Sequence, residues 1–375
     1  MIGRTIVRYD SDMLRDALNE VIESGQFVNG SQGKRFEKAV CDYLDIEGCV
    51  AVNSGTTALL LAYKAMGAKK ILTTPFTFSA TAMAGIFLDM EVIFCDIDAD
   101  TYCMDMNDVE RLLEEHGDID VVVPVHIFGV GADMDALADL KSRYGFKVVS
   151  DCAQAFGTVI DGYLAGSHPC IDLGCFSLYP TKNLSCAGDG GFITLNDLKL
   201  YEKLIRWRDN GRYLGTPILG SGGNFRMSEF QAAIAVKLIE RFPQQQEYRN
   251  EIAEYYLNEL KPLEEKGILT LPKVKEFNEN GWSHTYHLFC IYLNQHEPQE
   301  VIQKLSDLGV GATPAYGYLI TDFDMLEEGC PYSSEEYPVA REITETLLAI
   351  PLSQYITKEE SVKVVESLFE VLGDA

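Results

Sequence analysis

The sequence predicts an α/β fold in which a mostly parallel, mixed β-sheet lies between helices, followed by a smaller α+β domain at the C-terminal end. Three observations predict this fold. Short apolar runs alternate with segments of helical periodicity between about residues 46 and 150. An Asp-Gly turn at residues 161–162 then indicates a hairpin. A helix-rich segment finally separates this region from a stretch that mixes strand and helix patterns.

The apolar runs of the first region are strand candidates because they are short and nearly continuous, as expected for strands buried on both faces. Helical segments between them predict crossover connections and a parallel sheet that is covered on both sides. The strand candidates are residues 49–53, 92–95, 121–125 and 147–149, and the helical segments are residues 58–66, 107–115 and 134–144.

The pattern changes after Asp151. Residues 159–164 carry the Asp-Gly hairpin signal, and two further apolar runs, residues 174–179 and 191–195, follow without long helices between them. Strands joined without a crossover helix pair in antiparallel fashion, so we expect a mixed sheet rather than a purely parallel one.

Pro243 marks the predicted domain boundary. It lies between two helical segments, residues 229–240 and 246–260, and proline disfavours the continuation of a helix. We therefore expect a large domain over residues 1–245 and a small domain over residues 246–375, which suits a chain of 375 residues. The small domain has a strand candidate at residues 286–292 and helix candidates at residues 301–308 and 357–372.

Composition indicates a folded protein, with 47% hydrophobic and 23% charged residues. A net charge of −26, from 31 basic and 57 acidic side chains, repels polyphosphates and anionic lipid surfaces, so neither nucleic acid nor membrane is expected as a partner. The ten cysteines are scattered singly without a C-x-x-C pair, which is typical of reduced thiols and predicts a cytoplasmic location. No apolar stretch approaches the length of a membrane-spanning helix.

Lys182 is the first candidate functional residue. It follows an apolar run, residues 174–178, and precedes Gly-Asp-Gly-Gly at residues 188–191. A lysine alone is most often solvated. In this setting, a lysine in a closed site is the better explanation, because burial lowers the pKa of an amine and lets it act as nucleophile and base.

Two further motifs lie at the ends of predicted strands. Asp151 follows an apolar run, and a carboxylate at a buried strand end needs a charged partner such as a protonated pyridine nitrogen, although it can also cap the next loop. Residues 54–57 (Ser-Gly-Thr-Thr) join a strand to a helix, where free N–H groups and hydroxyls suit a phosphate, or form an ordinary helix cap. In open α/β sheets, ligands bind outside the carboxyl ends of strands, so the coincidence of the three motifs predicts one site.

These motifs together identify a family resemblance. From about residue 24 to its end, the chain resembles the DegT-type sugar aminotransferases, which are pyridoxal-phosphate enzymes of fold type I. The stretches that carry the resemblance are residues 25–30, 54–59, 75–81, 151–157, 176–191 and 223–233.

The resemblance implies roles for single residues. Lys182 would hold pyridoxal 5'-phosphate as a Schiff base and shuttle the substrate proton, and Asp151 would keep the pyridine nitrogen protonated. Asn224 would reach the cofactor phosphate of a neighbouring subunit, which implies a homodimer with shared active sites. The remaining cofactor contacts would be Phe78 on the ring face, Gln154 near the phenolic oxygen, and Thr56, Thr57 and Ser177 at the phosphate.

The implied activity is transfer of an amino group, in the family usually from L-glutamate, to a keto sugar carried on a nucleotide, as in amino-sugar biosynthesis. A sugar dehydratase and a keto-cyclitol aminotransferase are alternatives. Dehydratases of the family have histidine at the lysine position, so Lys182 favours transamination. Outside enzymes, the alternative is a pyridoxal-phosphate-binding regulator.

Three further features of the sequence say less about function. The family's usual substrate loop appears here as Ala-Tyr-Gly-Tyr-Leu at residues 315–319, which leaves the sugar unidentified. His284 and His287 are spaced like a metal pair, but in a strand they face opposite sides, so no metal site is predicted. Arg226 is expected to order its loop rather than perform chemistry.

Overall fold

The computed structural model describes residues 1–212, 220–273, 281–323 and 337–373. Its strands, in chain order, are β1 (Gly48–Val52), β2 (Lys70–Thr73), β3 (Glu91–Phe94), β4 (Val121–Val122), β5 (Lys147–Asp151), β6 (Val159–Ile160), β7 (Tyr163–Leu164), β8 (Leu173–Ser177), β9 (Gly191–Leu195), β10 (Leu269–Thr270), β11 (Phe289–Leu293), β12 (Thr313–Pro314) and β13 (Leu347–Ile350).

The helices pack around these strands. They are α1 (Ser11–Ser24), α2 (Ser31–Leu44), α3 (Gly55–Met66), α4 (Ala80–Ile86), α5 (Met106–His116), α6 (Met134–Tyr144), α7 (Leu198–Arg208), α8 (Glu229–Glu265), α9 (Pro298–Asp307), α10 (Pro338–Thr346) and α11 (Lys358–Leu372). Among the described residues, no helix is both long and apolar enough to cross a membrane.

The larger sheet has the predicted mixed character. Over the described ranges it contains seven strands in the order β1-β9-β8-β5-β4-β2-β3, and only β9 runs opposite to the others. The predicted α/β architecture is therefore confirmed. One strand was missed: β2 is only four residues long, yet it lies between β4 and β3.

The Asp-Gly hairpin also forms as predicted, between β6 and β7. Asp161 has φ 50° and Gly162 has φ 87°, so both central residues adopt the left-handed conformation that a tight two-residue hairpin requires. Glycine meets this requirement without strain, and aspartate is one of the few side chains that tolerate it.

The smaller sheet is antiparallel, with strand order β10-β11-β13-β12. Helices α9 and α11 pack together beside it. The N-terminal segment adds a further contact, because Ile2 pairs with Val310 as an isolated parallel bridge. The predicted helix at the C-terminal end corresponds to α11, which begins with a capping box between Thr357 and Glu360.

The predicted interruption at Pro243 is wrong. Helix α8 runs through Pro243 and continues to Glu265. The ring of Pro243 is exposed, whereas Phe242 and Gln246 beside it are buried. A proline inside a helix costs about 3 kcal/mol. Each fully buried large apolar side chain contributes about 1.5–3 kcal/mol, so the apolar face of this 37-residue helix offsets that cost.

Helix α8 also joins two hydrophobic clusters that the described residues form. Its first half, including Ile239 and Phe242, packs in the cluster around the larger sheet, and its second half, including Tyr256 and Leu260, packs in the cluster around the smaller sheet. The division into domains at residues 1–245 and 246–375 stays a prediction.

Candidate active site

Lys182 lies in a cavity of about 670 Å³ at one edge of the larger sheet. It follows β8 in a turn, where its N–H donates to the carbonyl oxygen of Tyr179 at 2.8 Å. Strands β1, β5 and β8 run in the same direction, so their carboxyl ends meet at this edge. The three predicted motifs are therefore brought together around one cavity.

The electrostatic environment of Lys182 suits a reactive amine. Burial lowers the pKa of Lys182 to about 8, while the carboxylate of Asp151 acts in the opposite direction and the positive charge of Arg4 lowers the pKa further. An amine with this pKa has a substantial neutral fraction near physiological pH and can serve as nucleophile and base.

Asp151, the last residue of β5, is a buried carboxylate that lines the same cavity. Its Oδ2 accepts a hydrogen bond from the hydroxyl of Thr81 at 2.8 Å, and its Oδ1 accepts one from the N–H of Ala153 at 3.0 Å. Burial raises the pKa of Asp151, and these hydrogen bonds and the charge of Lys182 oppose the rise. A cationic group placed in the cavity would stabilise this carboxylate further.

The N-terminus of α3 forms an anion-binding corner of the cavity. Ser54, Gly55 and Thr56 line it together with Ser177 from the end of β8. A Cβ on Gly55 would lie 2.8 Å from the Cβ of Ser177, so glycine is what lets the helix end approach β8 this closely. Free N–H groups, hydroxyls and the helix dipole converge here, as a phosphate requires.

Thr57 lies outside this cavity lining. Its N–H donates to Oγ of Ser54, the cap of α3, and its hydroxyl donates to Oδ1 of Asn53 at 2.7 Å. The side chain of Thr57 thus orders the turn that carries the phosphate corner. Its predicted contact with a phosphate stays a prediction.

Phe78 and Gln154 line the cavity as the sequence predicts. Phe78 is 54% exposed, which is unusual for a phenylalanine. Gln154 is buried, and both ends of its amide are held. Its Oε1 accepts from the N–H of Phe128 at 2.8 Å, and its Nε2 donates to the hydroxyl of Tyr316 at 2.9 Å.

Asn224 lies outside the cavity, and its side chain is exposed. Its backbone bridges to Asp209, and its carbonyl oxygen accepts from Nδ2 of Asn53. The side chain of Arg226 pairs with the carboxylate of Asp209, the loop-ordering contact expected for it. A contact of Asn224 with a neighbouring subunit stays a prediction.

Several cavity residues were not predicted from the sequence. Arg4 and Thr5 come from the N-terminal segment, His287 precedes β11, and Tyr316 follows β12. The sequence indicates His287 only as half of a possible metal pair, and Tyr316 only as part of a substrate loop that differs from the usual loop of the family. Arg4 gave no sequence signal, because only tertiary pairing brings the N-terminus to the cavity.

The cavity matches the chemistry of pyridoxal phosphate group by group. The amine of Lys182, with its lowered pKa, suits the aldehyde, and the buried carboxylate of Asp151 suits the pyridine nitrogen. The N-terminus of α3 suits the phosphate, and the side chain of Phe78 suits the aromatic ring. The donor set therefore fits this cofactor. The fold and the cavity define an enzyme of the fold type I pyridoxal-phosphate class.

Comparison with known proteins identifies the family. The chain belongs to the DegT/DnrJ/EryC1/StrS aminotransferase family, whose model matches residues 9–369. The aminotransferases of this family depend on pyridoxal phosphate. The predicted resemblance, class of activity and cofactor are therefore confirmed.

Three curated relatives are similar over nearly the whole chain. A UDP-N-acetyl-3-dehydro-alpha-D-glucosamine 3-aminotransferase of Acidithiobacillus ferrooxidans is 30% identical over 94% of this chain and 92% of its own length. A dTDP-3-amino-3,4,6-trideoxy-alpha-D-glucose transaminase of Micromonospora megalomicea is 31% identical, with coverages of 97% and 96%. A 3-oxo-glucose-6-phosphate:glutamate aminotransferase of Bacillus subtilis is 26% identical, with coverages of 99% and 82%.

Among solved structures, NtdA from Bacillus subtilis with its bound cofactor PMP has a TM-score of 0.88 and 26% identity, covering 99% of this chain and 83% of its own. A family member from Brucella abortus has a TM-score of 0.87 at 24% identity, covering 96% of each chain. This second similarity supports the fold alone.

Proposed function

We propose that the protein transfers an amino group from L-glutamate to the keto group of a sugar carried on a nucleotide, a step of amino-sugar biosynthesis. The observation that carries the proposal is the position of Lys182 and Asp151 in one cavity at the carboxyl ends of parallel strands. The relatives' names support the substrate class, since two act on UDP- or dTDP-linked sugars and a third names glutamate as its second substrate.

In the proposed mechanism, bound pyridoxal phosphate supplies an electron sink for negative charge at the substrate carbon. Lys182 would hold the cofactor through its Nζ, and the same amine, when free, would take the proton from the substrate carbon as a general base. The carboxylate of Asp151 would keep the pyridine nitrogen protonated. Between the two half-reactions the direction of proton transfer by Lys182 would reverse, whereas the role of Asp151 would stay the same.

The other cavity residues position the cofactor in this proposal. Thr56, Ser177 and the N-terminus of α3 bind the phosphate, with Thr57 ordering that turn or contributing to it. Phe78 covers one face of the ring, and Gln154 lies near its phenolic oxygen. The fixed amide of Gln154 suits this task, because a held side chain loses little entropy when it binds.

We further propose a cytoplasmic homodimer with shared active sites. Asn224 is exposed and lies outside the cavity of its own chain, as a residue must if it contacts the cofactor phosphate of a partner. A shared site predicts that cofactor binding and dimer formation are coupled. Sedimentation of wild type and Asn224→Ala with and without cofactor measures this coupling.

The test of the activity is spectroscopic. The absorption spectrum of the protein loaded with pyridoxal phosphate is recorded before and after L-glutamate, and again after a panel of keto sugars. We expect the yellow band of the lysine-bound cofactor to give way to the pyridoxamine band and to return with a nucleotide-linked keto sugar.

Other outcomes identify the alternatives. A deoxygenated sugar product indicates a dehydratase, and preference for a free keto-cyclitol over nucleotide-linked sugars indicates a cyclitol aminotransferase. A stable band with no turnover of any donor or acceptor would mean that a cofactor-binding regulator is the better description.

A further inference from the structure

The N-terminal segment is held at the rim of the active-site cavity by backbone pairing. The N–H of Ile2 donates to the carbonyl oxygen of Gly309 at 2.8 Å, and the N–H of Gly311 donates to the carbonyl oxygen of Ile2 at 2.7 Å. The side chain of Ile2 is buried in the cluster around the smaller sheet. A Cβ on Gly311 would lie 3.1 Å from the oxygen of Ile2, so glycine permits this close approach.

This pairing places Arg4 and Thr5 in the cavity lining beside Lys182. The positive charge of Arg4 lies near enough to lower the pKa of both Lys182 and His287. Burial lowers the pKa of His287 well below its usual range, and the positive charges of Lys182, Arg249 and Arg4 lower it further. Together with its position in the cavity lining, this places the charge of Arg4 close to the reacting centre.

The charges around the cavity leave Arg4 without an assigned partner. Within the described part of the chain, the charged side chains of the lining are Arg4, Asp151, Lys182 and Asp189. Lys182 and Asp151 are accounted for by the cofactor. Arg4 forms no ion pair with a described residue, and Asp189 is exposed. One permanent cation is thus left for the substrates.

Both substrates of the proposed reaction are anions. L-Glutamate carries carboxylates and a nucleotide sugar carries phosphates, whereas the chain as a whole has a net charge of −26 and repels them. A local cation must offset that repulsion inside the cavity. The planar guanidinium of arginine is suited to this task, since it binds a carboxylate or a phosphate through two parallel hydrogen bonds.

We propose that Arg4 is a substrate-binding residue, whose guanidinium binds an oxyanion of the reacting molecule: a carboxylate of the amino donor, a phosphate of the sugar nucleotide, or each in turn. The inference rests on the proposed function for the identity of these substrates. The proposal gives the N-terminal segment a role in substrate specificity, because the backbone pairing of Ile2 with Gly309 and Gly311 positions Arg4.

The experiment compares Arg4→Gln with Arg8→Gln. Both variants remove one positive charge from the same segment, but Arg8 is exposed and pairs with Glu360 on the surface. In one arm, the dependence of the cofactor spectral change on L-glutamate concentration gives an apparent Kd. In the other, calorimetry measures binding of UDP-N-acetylglucosamine and dTDP-glucose, which carry the phosphates but no keto group.

We expect Arg4→Gln to weaken binding by about 10- to 100-fold in at least one arm, as expected for the loss of a charge-assisted hydrogen bond, with Arg8→Gln close to wild type. Weakening in the glutamate arm alone assigns Arg4 to the donor carboxylate, and weakening in the calorimetric arm alone assigns it to phosphate. Weakening in both means that the substrates use it in turn.

Two results overturn the inference: changes below about 2-fold in both arms, or an equal loss in Arg8→Gln. Failure of the proposed function is separate. In that case wild type shows no response to L-glutamate, while the calorimetric arm still tests Arg4.

Discussion

The side-chain oxygen of Asn183, the residue that follows the candidate catalytic lysine in the chain, lies 3.1 Å from Nδ1 of His287. The amide nitrogen of Asn183 donates to the carbonyl oxygen of Thr285 at 2.8 Å and to Oε1 of Gln246 at 2.9 Å. A carbonyl oxygen can only accept, so the amide is held in one orientation and presents its oxygen to His287.

This orientation fixes the tautomer of His287. Because the oxygen of Asn183 accepts, Nδ1 of His287 carries the hydrogen. Burial, with the charges of Lys182, Arg249 and Arg4, lowers the pKa of His287 and keeps the ring neutral. Its Nε2 is therefore an acceptor, and the ring lines the cavity.

Asn183→Asp tests the amide network. The substitution replaces two donors with an oxygen that faces Thr285 and Gln246, both of which act as acceptors there. We expect the free energy of unfolding to fall by about 1–3 kcal/mol, the cost of unsatisfied buried polar groups. Urea unfolding measures it, with the exposed Asn19→Asp as the control. Equal stability of the two variants would contradict the network.

Lys182→Ala tests the assignment of the reactive amine. We expect the yellow band to disappear and turnover to fall by at least about 10²- to 10⁴-fold, the usual contribution of a positioned acid–base group. The circular dichroism spectrum should stay that of wild type. Lys199→Ala, an exposed lysine on α7, is the control. Normal turnover by Lys182→Ala would show that another residue carries the chemistry.

Glu229, the first residue of α8, caps a different helix. Its buried carboxylate accepts from the N–H of Gln32 at 2.7 Å and from the N–H of Gly33 at 3.2 Å, at the start of α2, which has no side-chain cap of its own. A Cβ on Gly30 would lie 2.5 Å from Oε2 of Glu229. The glycine at residue 30, within one of the stretches that carry the family resemblance, therefore makes room for this cap.

Glu229→Gln should destabilise the protein by about 1–2 kcal/mol, because it removes the negative charge and one of the two acceptors from the helix N-terminus. Glu240→Gln makes the same change at an exposed position of the same helix and should have little effect. Chemical unfolding of both variants measures the difference. If Glu229→Gln were as stable as Glu240→Gln, the contact would contribute little.

Local sequence patterns predicted much of the fold and of the candidate active site. Continuous apolar strands and helical periodicity predicted the larger sheet, and the positions of Asp151 and Lys182 at strand ends predicted the cavity, because carboxyl ends of parallel strands meet at one edge. The Asp-Gly turn at residues 161–162 was equally reliable, since its backbone requirement is met by few residue types.

What the sequence could not predict depends on contacts between distant residues. The continuity of α8 through Pro243 depends on burial along both halves of the helix, which a local breaker rule does not include. Arg4 reaches the cavity only because Ile2 pairs with Gly309 and Gly311, more than 300 residues away. Neither contact leaves a local pattern.

The lowered pKa of Lys182 predicts how cofactor capture depends on pH. Only the neutral amine attacks the aldehyde, so in cofactor-free protein the rate of capture should rise with pH and be half-maximal near pH 8, where Lys182 loses its proton. A solvated lysine would instead keep its ordinary pKa of 10.5, and capture would still be rising above pH 10. Stopped-flow absorbance measures the profile.

Neighbouring charges fix the direction in which this midpoint moves. The carboxylate of Asp151 raises the pKa of Lys182, so Asp151→Asn should shift the midpoint to lower pH. Arg4 lowers that pKa, so Arg4→Gln should shift it to higher pH, and Arg8→Gln should leave it unchanged. Opposite shifts in the two cavity variants require that both charges act on the same amine. Shifts in one direction, or none, would mean that the two charges do not act on Lys182 in opposite senses.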